Sequence, residues 1–236
     1  MHVLREGEDA AGLARGSDAQ ALGMAGGDGS LAAVAAVAVE RDSAFVCVPY
    51  GTQNHFARDL GLDRDDPVAA LDAFGGSERR VDVGRVGDCL FLNNVSLGLY
   101  ARLVHRREHH RKRRDMLARA RALLLLARER GHEPAFSVAG ERIKAPVLLV
   151  ASNAYELDLF NVGERERLDD GLLHLYIAHG WLPRSWEERS AERFRIEADS
   201  STVHAAVDGE PMELGTPLDF RLEPGALRVL VPGAPD

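Results

Sequence analysis

Two glycine-bearing turns, each closing a short apolar run and each opening a helix, constrain this chain more than any other feature. The first is Gly26-Gly27-Asp28-Gly29-Ser30, after the run Ala19 to Ala25; the second is Pro49-Tyr50-Gly51-Thr52-Gln53-Asn54, after Ser43 to Pro49. Glycine weakens regular structure, so turns of this kind mark places where backbone must approach something closely. Strand, turn and helix repeated in this order give an α/β arrangement, with both turns at the carboxyl edge of a parallel sheet, where such folds bind ligands. Free N–H groups in a turn and at a helix N-terminus attract phosphate. Asp28 adds a carboxylate where a phosphate-bound Mg²⁺ needs oxygen, Thr52 offers a hydroxyl, and Asn54 is placed to cap the next helix. The plainer alternative is an ordinary turn with Ser30 as the helix cap.

Length and composition narrow the classes. The 236 residues suffice for one large or two small domains, and the 45% apolar content is that of a globular protein. A net charge of −8 argues against a nucleic-acid binder. Cys47 and Cys89 form no metal-type pair and no disulfide framework, which suits a reducing compartment. The opening Met-His-Val-Leu-Arg-Glu is charged, unlike a secretory signal, and the apolar run Leu31 to Val39 is too short to span a bilayer. The expectation is a soluble, cytoplasmic protein.

Along the chain, helices are expected over Asp9 to Ala14, Leu31 to Glu40 and Asn54 to Leu60, with Pro67 opening another through Ala73. After Gly75-Gly76 the character changes. Val81 and Val83 alternate into a Gly87-Asp88 turn and then Cys89 to Leu92, the pattern of a hairpin. Tyr100 to Arg130 reads as a long helix, and from Ala135 onward strand patterns dominate. The fold expected is α/β plus β: a small α/β nucleotide-binding domain over 1–76, then a larger, β-rich, sandwich-like substrate domain over 77–236. The cleft between them is the favoured ligand position.

Gly-Gly-Asp-Gly-Ser, followed by Pro-Tyr-Gly-Thr-Gln-Asn-His-Phe-Ala-Arg, resembles the catalytic region of the diacylglycerol kinase, sphingosine kinase and bacterial lipid kinase family. The resemblance continues through Val81-Asp82-Val83-Gly84, Phe91 to Ala101, Leu148 to Asn153, Leu168 to Leu173 and Ala205 to Pro211. It covers nearly the whole chain, in order. It implies an NAD kinase/diacylglycerol kinase-like fold and an ATP- and Mg²⁺-dependent kinase acting on a hydroxyl of a lipid or lipid-like alcohol. Gly26, Gly27, Asp28, Gly29, Ser30, Gly51 and Thr52 would hold the nucleotide, and Glu210 would be the general base. Asn54, His55 and Asp208 would face the acceptor. Asp170, with carbonyls of Arg167 and Leu172, would hold a metal ion.

The chain departs from the family pattern in three ways. Its N-terminus matches none of the family's usual first strand and Asn-Pro-x-x-Gly loop, Ala32 and Ala33 replace a polar pair, and His55 replaces an aspartate. Two other readings therefore stand beside the lipid kinase: a catalytically silent lipid- or partner-binding protein, and a kinase for a soluble polyol or secondary metabolite. The run His105 to Asp115 holds six Lys/Arg against two acids. It is either a solvated helix face or, over 105–114, a contact for anionic membrane. His105, His109 and His110 are helical neighbours, but the arginines around them would repel a metal cation. The oligomeric state has no signal in the sequence.

Overall fold

The computed structural model describes residues 1–98, 134–158, 161–162, 164–179 and 186–233. The expected helix from Tyr100 to Arg130 and the basic run within it lie outside those residues. The chain begins with α1 (Ala10–Arg15), capped by Asp9, whose carboxylate accepts from Ala11 N at 3.0 Å. Strand β1 (Ala21–Gly26), helix α2 (Asp28–Glu40) and strand β2 (Ala44–Pro49) follow. β1 and β2 pair in parallel, with Gly26 opposite Pro49, so both glycine turns leave the same sheet edge. α2 begins at Asp28, a turn earlier than the apolar pattern suggested, and Gly27 caps it without a side-chain bond. Ser30 therefore sits inside the first turn instead of capping it.

α2 has no polar face to speak of: Leu31, Ala32, Val34, Ala35, Val37 and Ala38 are all buried. That is the pattern of a helix enclosed by other elements. Fully burying a side chain such as Leu31 or Phe45 is worth about 1.5–3 kcal/mol. The helix after the second turn, α3 (His55–Asp59), is short, and the helix expected behind Pro67 is a 3-10 helix over Ala69–Gly75. Asp66 Oδ1 accepts from Ala69 N at 3.1 Å and sets its start.

The rest is β-structure: β3 (Ser77–Val86), β4 (Cys89–Phe91), β5 (Asn94–Gly98), β6 (Ala135–Val138), β7 (Glu141–Lys144) and β8 (Val147–Ser152). Then come the short pair β9 (Leu157–Asp158) and β10 (Asn161–Val162), followed by β11 (Leu173–Ala178), β12 (Trp186–Ala191) and β13 (Arg193–Ala198). β14 (Thr202–Val207), β15 (Glu210–Gly215) and β16 (Leu218–Val231) complete it. One sheet runs β12-β11-β8-β5-β14-β15 and is antiparallel throughout. The other runs β1-β2-β16-β13-β6-β7, with β3 on β16 and β4 on β3.

β16 joins the two halves. Its first residues pair with β13, and its last, Val229 and Leu230, pair in parallel with β2. β3 runs antiparallel along its other side, and the register shifts between Glu223 and Leu227. Pro224, Gly225 and Ala226 fill that bulge, Gly225 at φ +57°. There Gly225 N donates to the buried Asp82 Oδ1 at 2.7 Å. A bulge bends a strand, which lets one strand serve two sheet directions. Two cores result. One packs α1, α2, β2 and α3 against Val81, Val83, Leu90, Leu92, Leu227 and Val229. The other lies between the two sheets and includes Phe91, Val95, Leu148, Leu175, Ile196 and Phe220. Among the described residues no helix is long and apolar enough to cross a membrane.

Candidate active site

The two glycine turns approach each other. A Cβ built on Gly51 would collide with the Gly27 backbone, and Tyr50 N donates to Gly26 O at 3.1 Å. Asn54 stabilises the second turn from within. It adopts the left-handed region at φ 52°, accepts from Gly51 N at 2.8 Å and donates to Gly51 O at 3.0 Å. Its side chain thus turns back to Gly51 and does not cap α3, which corrects the sequence expectation. An asparagine tolerates this backbone region because its short polar side chain bonds locally.

The cap of α3 comes from Asp28 instead. Asp28 Oδ2 accepts from His55 N at 3.2 Å and Oδ1 accepts from Phe56 N at 3.0 Å. Asn93 Nδ2 donates a third bond to Asp28 Oδ1 at 3.1 Å. One carboxylate in the first turn of α2 therefore satisfies two of the open N–H groups of α3 and ties both helices to the link between β4 and β5. The N–H groups at the start of α2 itself have no side-chain cap, and they are the groups left to meet an anion.

Asp208 has a similar framework role. It lies at φ 47° in the turn between β14 and β15, with Gly209 at φ 83°. Its carboxylate accepts from Leu92 N and Asn93 N, each at 2.8 Å, and from Asn94 N at 3.1 Å. Burial pushes its carboxyl up to about 7, with the nearby Asp28 adding to the rise, although those three N–H groups pull the other way. The turn projects the next residue, Glu210, outward, where it is exposed. A Cβ on Gly29 would collide with Glu210 Cγ, so this carboxylate lies directly on the first glycine turn. His55 is half-buried, with Nε2 at 2.8 Å from Gln53 Oε1, and desolvation lowers its pKa below the ordinary histidine value. Thr52 and Ser30 are exposed.

Asp28, Gly29, Gly51, Asn54, His55, Asp208 and Glu210 are thus joined by hydrogen bonds and close contacts. Asp170, Arg167 and Leu172 belong to a second cluster. Asp170 accepts from Leu172 N at 2.9 Å and Ala154 N at 3.0 Å, and His174 Nε2 lies at 3.1 Å. The Leu172 carbonyl accepts from Asn153 N, and the Arg167 guanidinium pairs with Asp169. Beside them the buried Asn153 Nδ2 lacks a hydrogen-bond partner, and an amide N–H is a donor, which does not ligate a cation. Among the described residues no group of three or more His, Cys, Asp or Glu side chains is arranged to hold a metal ion. Side chains alone thus form no cage for a cation among the described residues.

Four residues with a part in this site are given no role by sequence reading: Arg165 and Asp59, and Asn93 and Asp82, which do fall in the stretches that resemble the family. Asp82 accepts from Gly171 N at 2.9 Å as well as from Gly225 N. Its one signal is a carboxylate set in a strand between two buried valines. Arg165, inside Gly-Glu-Arg-Glu-Arg, looks like any solvated charge.

Known proteins resemble this chain. Residues 2–86 match the sequence profile of the diacylglycerol kinase catalytic domain. A probable lipid kinase YegS-like from Pseudomonas aeruginosa is 32% identical over 89% of this chain and 76% of its own length. A diacylglycerol kinase from Bacillus subtilis is 34% identical over 34% of this chain and 28% of its own. A putative diacylglycerol kinase from Bacillus anthracis superposes with a TM-score of 0.70 at 20% identity, over 98% of this chain and 84% of that one.

Proposed function

The chain belongs to the diacylglycerol kinase family, alongside the YegS-like lipid kinases, and from that premise we propose that it transfers phosphate from ATP to a hydroxyl of a lipid or lipid-like alcohol. The observation that carries the proposal is the contact between Glu210 and Gly29. It puts a solvent-facing carboxylate against a helix N-terminus whose N–H groups have no side-chain cap. The nucleotide lies on the α/β part over 1–76, its phosphates against Gly26 to Ser30 and Gly51-Thr52. The acceptor comes from the side of 77–236.

In the reaction the acceptor oxygen attacks the terminal phosphorus, the bond from that phosphorus to the bridging oxygen breaks, and ADP leaves. The hydroxyl proton passes to the Glu210 carboxylate. The chain's contribution is positioning, supplied by the two turns. Asp28 and Asp208 are assigned to holding those turns, since N–H donors already engage both carboxylates. A Mg²⁺ bound with the nucleotide would neutralise charge on the phosphates, and no residue is assigned a step through it. Desolvation lowers the pKa of His55, which disfavours a positive charge on the imidazole at this part of the site.

The test is a transfer assay with labelled ATP and Mg²⁺ against diacylglycerol, monoacylglycerol and phosphatidylglycerol in vesicles, with a sphingoid base and free glycerol alongside. Label in one of the neutral lipid alcohols supports the proposal. Label confined to glycerol moves the acceptor class to soluble polyols, and label in none overturns the kinase reading.

A further inference from the structure

Arg165 lies between β10 and β11, and its guanidinium side chain is 1% exposed. Its Nε donates to Asp59 Oδ2 at 2.7 Å, the carboxylate at the end of α3. Its Nη1 donates to Leu92 O at 2.7 Å, Ser152 O at 2.9 Å and Ser152 Oγ at 3.1 Å. Its Nη2 donates to Asn93 Oδ1 at 2.7 Å, and the guanidinium sits 5.5 Å from the centre of the Tyr155 ring. A buried charge is costly to keep, and its partners here come from α3, the β4–β5 link and the end of β8. One cation therefore touches elements of both cores.

The contact to Asn93 decides what this arrangement does. An amide side chain can sit either way round, and neighbours choose. Nη2 can only donate, so Asn93 must turn Oδ1 toward it, and Nδ2 then points at Asp28 Oδ1. Reversed, the amide would set a donor against the guanidinium and an acceptor against the Asp28 carboxylate. Asp28 in turn holds His55 N and Phe56 N, and it adjoins Gly29, on which Glu210 rests.

We propose that Arg165 is a positioning residue of the phosphoryl-transfer site, acting through Asn93 to hold Asp28 and hence the turn beneath Glu210. The catalytic part of this inference rests on the kinase reading above; the structural part does not.

The experiment compares R165K, N93A and the double variant in the full chain. Lysine keeps a cation for Asp59 but has no fork to reach Asn93 as well. R165K is expected to lower kcat about tenfold or more with a smaller change in KM for ATP, and the double variant to fall no lower than N93A within about twofold. Losses that multiply in the double variant would overturn the proposal.

Hydrogen exchange supplies a readout that needs no turnover. In R165K the amides of His55 and Phe56 should exchange about tenfold faster, while Leu149 and Tyr176 in the centres of β8 and β11 keep wild-type protection. Unchanged exchange at His55 and Phe56 refutes the role, whatever the activity. If the wild type transfers phosphate to no acceptor, the kinase reading fails and exchange alone decides on Arg165. Should R165K not fold, N93D serves: its carboxylate still meets Arg165 but repels Asp28, so it too must release His55 and Phe56, and intact protection there contradicts the proposal.

Discussion

At the residue scale, three acidic side chains near the glycine turns divide their labour by environment. Glu210 is exposed and lies against Gly29, whereas Asp28 and Asp208 are buried among N–H donors. Asp208 carries a pH signature. Its folded-state value of about 7 lies above the ordinary carboxylate value of 3.8, so the folded state keeps its proton over a range where the unfolded state has lost it. Stability from this group is undiminished below pH 3.8 and falls as pH rises toward 7. Asp208→Asn removes the titration. Its unfolding free energy should therefore gain on the wild type as pH rises from 4 to 7, measured by denaturant titration at each pH. Parallel curves would mean that Asp208 stays ionised in the fold. Asp28 and Asp208 are visible in the sequence because each sits beside a glycine in a turn. What each carboxylate bonds to is not, since Asn93 and the α3 amides come from distant positions and the charged run around Arg165 resembles any solvent-facing segment.

At the scale of elements, the two glycine turns differ in what a side chain would meet. Gly51 faces the Gly27 backbone, which cannot yield, whereas Gly29 faces the end of a flexible glutamate. Gly51→Ala should therefore lower the melting temperature by several degrees, an effect of about 1–3 kcal/mol. Gly29→Ala lies in the first turn of α2 and should melt within about two degrees of the wild type, yet lose most transfer activity as Glu210 is displaced. A melting curve and an assay on the same two proteins check both. If Gly29→Ala keeps full activity, the contact with Glu210 is incidental. The loop of Asp170 offers a second element-scale test. Its carboxylate is already satisfied by Ala154 N, Leu172 N and His174, so adding a chelator should shift the melting temperature by less than about one degree. A larger fall would show that a cation does belong to Asp170 and its neighbours. Helix positions were legible because apolar residues and glycines punctuate them. The start of α2 was not, because Gly27 caps it without a side chain, nor was the cap of α3, because it depends on Asp28 reaching across from another helix.

At the scale of the molecule, β16 is what the sequence conceals. The change of pattern at Gly75-Gly76 and the later strand-rich stretches point to an α/β part and a β-rich part, and the fold class follows from them. No local signal says that the last strand returns to lie beside β2, with β3 along its other edge. The α/β core consequently includes Val81, Val83, Leu90, Leu92, Leu227 and Val229, all beyond residue 76. A fragment of residues 1–76 should fail to fold alone, giving collapsed amide dispersion in its NMR spectrum and no cooperative melt. A folded fragment would show that β16 only decorates a self-sufficient unit. The same strand holds β2 and β3 together, and the link from β4 to β5 carries the bonds to Asp208, so the glycine turns and the Asp208 turn share the frame that a transfer between two bound molecules requires.

On the proposed mechanism Glu210 takes the acceptor's proton at a nucleotide turn that Asp28 and Asp208 hold in shape. The most direct measurement is Glu210→Gln, assayed for phosphate transfer to the best acceptor and titrated with Mg-ATP by calorimetry. Transfer should drop by two to four orders of magnitude, the range expected of a lost general base, with ATP affinity within about threefold of wild type. Transfer at the wild-type rate would contradict the account.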